Sequence, residues 1–521
     1  MGLNIYDTLL RFPPPPPLGD STLVGQTQAL LAWLAPSSHG LAYLSRHVIS
    51  TYCVGYTRPR FTLGMPQDAM KPIDLLVGRP SLNLQAADKL IAASRTILSQ
   101  SDKSEPALTY GLDHGDDHIR RHIGAWLSQK YRPVSGYITQ DRIIITNGAS
   151  GALSGILQKF TDPLYTRRIF LVEPTYFLAA QTFLDVGFGR KMRGIPEDDE
   201  GIDLEYLRRQ LEEDSKSDDS SDVDMPATKF ASQGFKKLFK YVLYVVPTLS
   251  NPTGKTMSMH HRIDLVELAR RHDMLLIADD VYDFLAWPTD DDIPHEGLEL
   301  PPRLVDIDRQ MPGLNEWGNA VSNGSFSKLA APGLRVGWCE AMPNFINGLS
   351  TVGATMSGGC QAQYTSFLVD EMLVSGILEH HIQNTLIPIY RRRYKALVRA
   401  IKTYLYPLGI RISTGKPYEV FAMDGKSNRV PTILTGGFFL YVDFPRGDKF
   451  PSVTEIIRIG REEYGLTIAP GEIFAVKGDP NSLERAGSTF NLGTRLCWAW
   501  NEEEVLIEAM ERFAKAIQQA K

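Results

Sequence analysis

The stretch GSFSKLAAPGLRVGW, Gly324 to Trp338, sets one lysine, Lys328, between small hydroxyl residues and a Pro-Gly-Leu-Arg turn. A solvated surface lysine needs no such company. Ser325 and Ser327 offer hydroxyl donors, and Arg335 offers a guanidinium fork, a set suited to a doubly charged anion such as a phosphate. A lysine beside that set is chemically useful only when burial or a neighbouring cation lowers its pKa and leaves a free amine. The same residues on a Ser/Gly-rich surface loop would carry no chemistry, so the rest of the chain decides.

Around this stretch, short apolar runs alternate with helical patterns. RIIIT (142–146), RIFLVE (168–173), YVLYVVP (241–247), MLLIADD (274–280), AVSNGSFS (320–327) and RVGWCEA (335–341) are nearly unbroken apolar segments. Such runs predict strands buried on both faces. With intervening helices such as HHRIDLVELARRHD (260–273), they predict an α/β fold: a mostly parallel central sheet with helices on both faces. The large domain is expected over 72–365, its first part joining a smaller α+β domain over 366–521. Residues 1–71 read as an N-terminal arm, because the run Pro13 to Pro17 is confined to polyproline II. LEEDSKSDDSSDVDMPATKF (211–230) reads as a flexible acidic insertion and AWPTDDDIPHEGLELPPRL (286–304) as a loop.

Bulk properties exclude several classes. The 521 residues carry a net charge of −5, which disfavours nucleic acid as the main partner. Cys53, Cys339, Cys360 and Cys497 are scattered and form no CxxC pair, so neither a metal site nor a disulfide framework is expected. No secretory pattern opens the chain and no apolar run reaches membrane-spanning length, which makes the cytoplasm the default and a membrane partner unexpected.

Further motifs share the order and spacing of Lys328's stretch. TNGASGALSGIL (146–157) leaves a strand and opens a helix, where backbone N–H groups and the dipole favour an anion. VVPTLSNPTGKTMS holds Asn251, IADDVYDFL holds Asp279, Asp280 and Tyr282, VEPTYFLA holds Tyr176, and NLGTRLCWAW holds Arg495. Taken singly these are a good turn, a strand-end acid, a core aromatic and a strand arginine. Taken together the chain resembles the fold-type I pyridoxal-phosphate enzymes of the class I/II aminotransferase family, and within it the 2-aminoadipate and aromatic aminotransferases. The resemblance runs over roughly residues 72–515.

The resemblance implies pyridoxal 5'-phosphate as cofactor and assigns roles by position. Lys328 would carry the cofactor as a Schiff base. Ala149, Ser150, Gly151, Ser325, Ser327 and Arg335 would hold its phosphate. Tyr176 would stack on the ring, Asn251 and Tyr282 would bond its phenolic oxygen, and Asp279 would pair with its nitrogen. Asp280 competes for that last place, but strand alternation and the spacing to Tyr282 favour Asp279. Arg495 would clamp the substrate α-carboxylate, with Gly78 of DLLVGRPSL facing the substrate beside Asn251. Tyr110, in LTYGLDHGDDHIRRHI, would reach the phosphate of a second subunit, which implies a homodimer. Two departures stand out: Ile119-Arg120 replaces the family's Leu-Arg, and TRLCWAW replaces its LRLxFA.

The implied activity is transfer of an amino group between an L-amino acid and a 2-oxo acid. An aromatic-rich set, Tyr176, Phe438, Phe439, Trp498 and Trp500, points to a bulky or aromatic substrate. Two alternatives remain open at this level. C–S lyases and cyclopropane-forming synthases share nearly all these residues. A regulator using such a domain as an effector sensor would need an N-terminal DNA-binding domain, for which the proline-broken, lysine-free stretch before Lys71 is poor material.

Overall fold

In a computed structural model that describes residues 70–216, 237–426, 428–447 and 450–521, the strand candidates assemble into one seven-stranded sheet. In chain order the strands are β1 (Ile143–Thr146), β2 (Arg168–Glu173), β3 (Met192–Pro196), β4 (Tyr241–Val245), β5 (Met274–Asp279), β6 (Ala320–Ser325) and β7 (Gly337–Glu340). Across the sheet they run β1-β7-β6-β5-β4-β2-β3, and every neighbouring pair is parallel except the two made by β7. Strand β3, MRGIP, has weak β propensity and was not foreseen. It pairs only with β2, at the sheet's edge.

Each strand is apolar on both faces because each face is covered. Along β4, Val242 and Tyr244 join one core cluster while Tyr241, Leu243 and Val245 join the other. Along β5, Leu275 and Ile277 fall with the first set, Met274, Leu276 and Ala278 with the second. The first cluster is completed by helix Gly148–Phe160, whose Phe160 stacks on Phe345 with ring centroids 3.9 Å apart. Helix Met259–Arg271 supplies Leu265, Val266, Leu268 and Ala269 to the second. This alternation settles the geometry of the acid pair. Asp279 continues the face of Leu275 and Ile277, and Asp280 turns to the opposite face, where it accepts a hydrogen bond from Ser322 at 2.5 Å.

A four-stranded antiparallel sheet lies further along the chain, in the order Arg411–Ser413, Phe439–Asp443, Gly493–Cys497, Ala469–Pro470. Helices Ile387–Ala400, Val453–Tyr464 and Glu503–Ala520 pack with it. A short parallel pairing of Ile73–Asp74 with Leu466–Thr467 ties the start of the described chain to this part. The Cys497 N–H then donates to the Leu75 carbonyl at 3.0 Å and carries the contact towards Gly78. Both sheets belong to the unit Met70–Lys521. No helix among the described residues is long and apolar enough to cross a membrane.

Two sequence readings need correction. The segment 286–304 is not all loop, because Ala286–Pro288 pairs with Arg429–Gly436, itself paired with Glu419–Met423. The acidic insertion does not begin at 211. Residues 211–216 finish helix Leu204–Lys216, where Leu204, Leu207 and Leu211 form a buried stripe that the acidic residues around it obscure. The remainder, 217–230, lies outside the described residues, as does the arm before Met70. Leu211→Ala should lower unfolding free energy by about 2–4 kcal/mol in a denaturant titration, because Leu211 is a core residue. A change under about 0.5 kcal/mol, normal for a mobile surface segment, would contradict the stripe.

Candidate active site

The carboxyl ends of β1, β2, β4, β5 and β6 deliver the motif residues to one place, the crevice where open α/β sheets hold their ligands. Strand β6 ends at Ser325 and tightens into the turn Phe326–Lys328, with the Ser327 N–H donating to Ser325 Oγ at 3.1 Å. The turn places Lys328 with its Nζ donating to the Gly78 carbonyl at 3.0 Å and lying 5.3 Å from the Phe438 ring centroid. Partly buried there, the ammonium is held well below its ordinary pKa, down to about 8. Burial is the main cause, Cys497 and Asp279 oppose it, and Arg495 and Arg335 add to it. Glycine at 78 is a steric necessity, since a Cβ would fall 2.5 Å from Phe439 Cζ.

Asp279 closes β5 almost fully buried. Tyr244 donates its hydroxyl to Asp279 Oδ2 at 2.7 Å, and the Asn323 amide donates to Oδ1 at 3.3 Å. Burial raises the Asp279 carboxyl to about pH 6, with the Tyr244 bond and the Lys328 charge pulling the other way. A cation set against this carboxylate would relieve that desolvation.

At the end of β1, Gly148 starts helix Gly148–Phe160 and no side chain caps it, so first-turn N–H groups of Ala149, Ser150 and Gly151 are left for a ligand. Arg335 sits beside them with φ +54°, held by donation to the Pro332 carbonyl at 3.0 Å, Ser327 Oγ at 3.4 Å and the Asn147 carbonyl at 3.3 Å. Gly148 has φ +74°, and a Cβ on it would stand 2.4 Å from Arg335 Nη2. The helix start, Ser325, Ser327 and Arg335 thus enclose one cup.

Across from it, Arg495 projects from strand Gly493–Cys497, fully buried. Its Nη1 donates to Asn251 Oδ1 at 2.7 Å, its Nη2 donates to the Leu76 carbonyl, and its guanidinium lies 4.3 Å from the Phe439 ring centroid. An arginine only donates, so the Asn251 oxygen must face it and the Asn251 amide nitrogen is left free to face the crevice. Burial lowers the Arg495 pKa, which a bound carboxylate would offset. Tyr282 is buried against Phe438 and Phe439, with ring centroids at 5.5 and 5.8 Å. Tyr176 lines a small space together with Tyr244, Val246 and Asn251.

Three sequence assignments are placed differently from the rest. Tyr110 is 89% exposed in the single chain. Trp498 is fully buried, packed edge-on to Tyr394 at 5.2 Å, and belongs to the core. Trp500 stacks under the exposed Arg79, whose guanidinium carbon is 4.0 Å from the ring centroid. Tyr244 and Asn323 were not singled out from sequence. They look like ordinary strand residues there, and only the register of β4, β5 and β6 brings them onto Asp279.

Residues 71–484 match the family of class I and II aminotransferases. An uncharacterized protein of Saccharomyces cerevisiae is 35% identical over 430 residues, spanning 78% of this chain and 90% of the yeast protein. Aromatic-amino-acid aminotransferase 1 of Thermococcus litoralis is 26% identical over 79% of this chain and 80% of its own length. The crystal structure of Pyrococcus horikoshii kynurenine aminotransferase shares the fold with a TM-score of 0.65 at 24% identity, over 86% of this chain and 91% of that one. The chain belongs to the class I and II aminotransferases. It is a pyridoxal-phosphate-dependent transferase, and pyridoxal 5'-phosphate is its cofactor. The cup that only glycine at 148 leaves open, the partly buried amine of Lys328 and the buried carboxyl of Asp279 fit that group's phosphate, aldehyde and ring nitrogen.

The depressed pKa fixes the sign of a stability effect. Because the folded-state pKa of Lys328 lies below its unfolded value, its charged form opposes folding at pH 7, and that opposition fades as pH rises through about 8 towards 10.5. Cofactor-free Lys328→Met should therefore be more stable than wild type at pH 7, by about 1–3 kcal/mol, with the gap closing by pH 10. Denaturant titrations at both pH values measure it, and equal stabilities throughout would show that the amine is solvated.

Proposed function

We propose that this protein moves an amino group between an L-amino acid and a 2-oxo acid, with Lys328 as the covalent anchor of the cofactor and the carrier of the substrate Cα proton. The observation that carries the proposal is Lys328 itself. An amine with a pKa near 8, drawn against the Gly78 carbonyl within reach of Asp279 and Arg495, is about one-tenth free base at pH 7, a few hundred times more than an ordinary lysine. The bound cofactor supplies a protonated ring that takes up the electrons left when the Cα–H bond breaks.

The chain's residues do the rest. The first turn at Ala149, Ser150 and Gly151, with Ser325, Ser327 and Arg335, binds the phosphate. Asp279 holds a proton on the ring nitrogen, Tyr176 covers the ring, and Asn251 and Tyr282 donate to its phenolic oxygen. Arg495 binds the substrate α-carboxylate as a fork and so orients the Cα–H bond towards Lys328, with Gly78 leaving the space the substrate needs. Lys328, released from the cofactor, would take the Cα proton and return it on the far side of the amino nitrogen, two bonds away.

In this reading the protein is a cytoplasmic homodimer, and Tyr110 completes the phosphate cup of the other subunit. Its exposure beside Leu108 and Leu112, 65% and 57% exposed, supports that placement. The substrate is a bulky or aromatic L-amino acid. Phe438 and Phe439 line the crevice next to Lys328 and Arg495, and the relatives named for aromatic amino acids and kynurenine support the class.

A half-reaction screen tests this. Each amino acid is added alone while the visible band of the bound cofactor is followed. Stoichiometric loss of the band with release of the matching 2-oxo acid is the expected result. Pyruvate and a thiol released with the band intact would instead make the protein a C–S lyase. Lys328→Ala should abolish both band and turnover. Arg495→Ala should keep the band and raise KM by about 100-fold, the loss of a buried charge-assisted pair with the substrate.

A further inference from the structure

We propose that Asn323 is a positioning residue that sets the spacing between the two ends of the cofactor site. The inference rests on the assignment of Asp279 to the ring nitrogen and of the Gly148–Phe160 helix start to the phosphate. Asn323 lies on β6 directly opposite Asp279 of β5 and is 1% exposed. Its single amide nitrogen makes two donations in different directions. One goes to the Ala149 carbonyl at 3.0 Å, in the first turn of the helix, and one to Asp279 Oδ1 at 3.3 Å. Both partners are acceptors, so the amide cannot be flipped, and each of its two hydrogens has one assigned target.

The rest of the side chain shows why an asparagine is there for those two bonds. Its Oδ1 is buried without a partner among the described residues, an arrangement that an apolar side chain of the same size would avoid. A residue kept in that state is justified by what its nitrogen holds. It holds the acid at one end of the cofactor and the backbone of the anion cup at the other, which no other side chain in the site touches together.

Tyr244 makes the comparison possible. It donates to the other oxygen of Asp279 at 2.7 Å and has no bond to the helix start. Tyr244 therefore tunes the acid alone, while Asn323 couples the acid to the cup. The charged and titratable groups facing Asp279 are Lys328, Asp283, Cys339 and the Tyr244 and Tyr282 hydroxyls, and the Asn323 and Tyr244 substitutions below leave Lys328, Asp283, Cys339 and Tyr282 in place.

The test compares Asn323→Ala, Asn323→Asp and Tyr244→Phe for three properties: cofactor dissociation constant, inorganic phosphate affinity of the cofactor-free protein, and the pH midpoint of the bound cofactor's visible band. Asn323→Ala should weaken cofactor binding by about 10–100-fold and phosphate binding by several-fold, as expected when a buried charge-assisted bond and a backbone tether are both lost. Asn323→Asp keeps the shape and replaces donors by acceptors, so it should bind cofactor worse than the alanine variant, and it carries the test if the alanine variant is unfolded. Tyr244→Phe should move the band's pH midpoint and leave phosphate affinity unchanged. Asn323 variants that lower the melting temperature but bind cofactor and phosphate within twofold of wild type would reduce Asn323 to a scaffold residue and overturn the proposal. Lys328→Ala, assayed alongside, reports on the covalent anchor separately through loss of the visible band, because neither Asn323 donation involves Lys328.

Discussion

Everything in this site depends on holding a partly buried amine and a buried carboxylate at the ends of adjacent strands. Lys328 and Asp279 each lie far from their ordinary pKa, in opposite directions, for the same reason: burial penalises the charged form of each. Neither is neutralised by a direct ion pair with the other, and Lys328 is hydrogen-bonded to a backbone carbonyl instead. A fold that tolerates two such groups must pack tightly around them. The two core clusters on either side of the sheet, and the Phe438–Phe439 wall from the second sheet, provide that packing.

The sequence was most legible where local pattern and chemistry coincide. The strands that feed the site are largely apolar runs, Ala320–Ser325 with its Ser, Asn and Gly being the exception, and several residues after them are small, cyclic or hydroxylated for reasons visible in isolation. Even the choice between Asp279 and Asp280 followed from alternation along one strand. What stayed hidden depends on pairing across long sequence separations. Tyr244 and Asn323 acquire meaning only through strand register. The Ala286–Pro288 strand exists because a partner more than a hundred residues later pairs with it. Leu211 was masked by its charged neighbours, although its helical spacing from Leu204 and Leu207 was there to be read. Trp498 was grouped with the pocket aromatics because composition cannot tell a core ring from a lining one.

The residues divide by what they can distinguish. Those that the proposed function assigns to the cofactor come from the large sheet and the turns at its strand ends. Arg495 and Phe439 come from the second sheet, and Gly78 comes from the chain's first described segment. In the proposed function, the groups that meet the substrate thus come from other parts of the chain than those that form the cup, and the segment TRLCWAW is among them.

The pairing of Ile73–Asp74 with Leu466–Thr467 gives the chain a timing constraint during synthesis. The carbonyls of Leu76 and Gly78, which meet Arg495 and Lys328, are made early, but the strands that hold their segment leave the ribosome near the end. The large sheet has all its strands by Glu340, so it has the material to form while its amine and acid still lack their cover. For that interval Lys328 lacks Phe438 and Arg495, so its amine keeps a more ordinary pKa, and the late strands are what depress it.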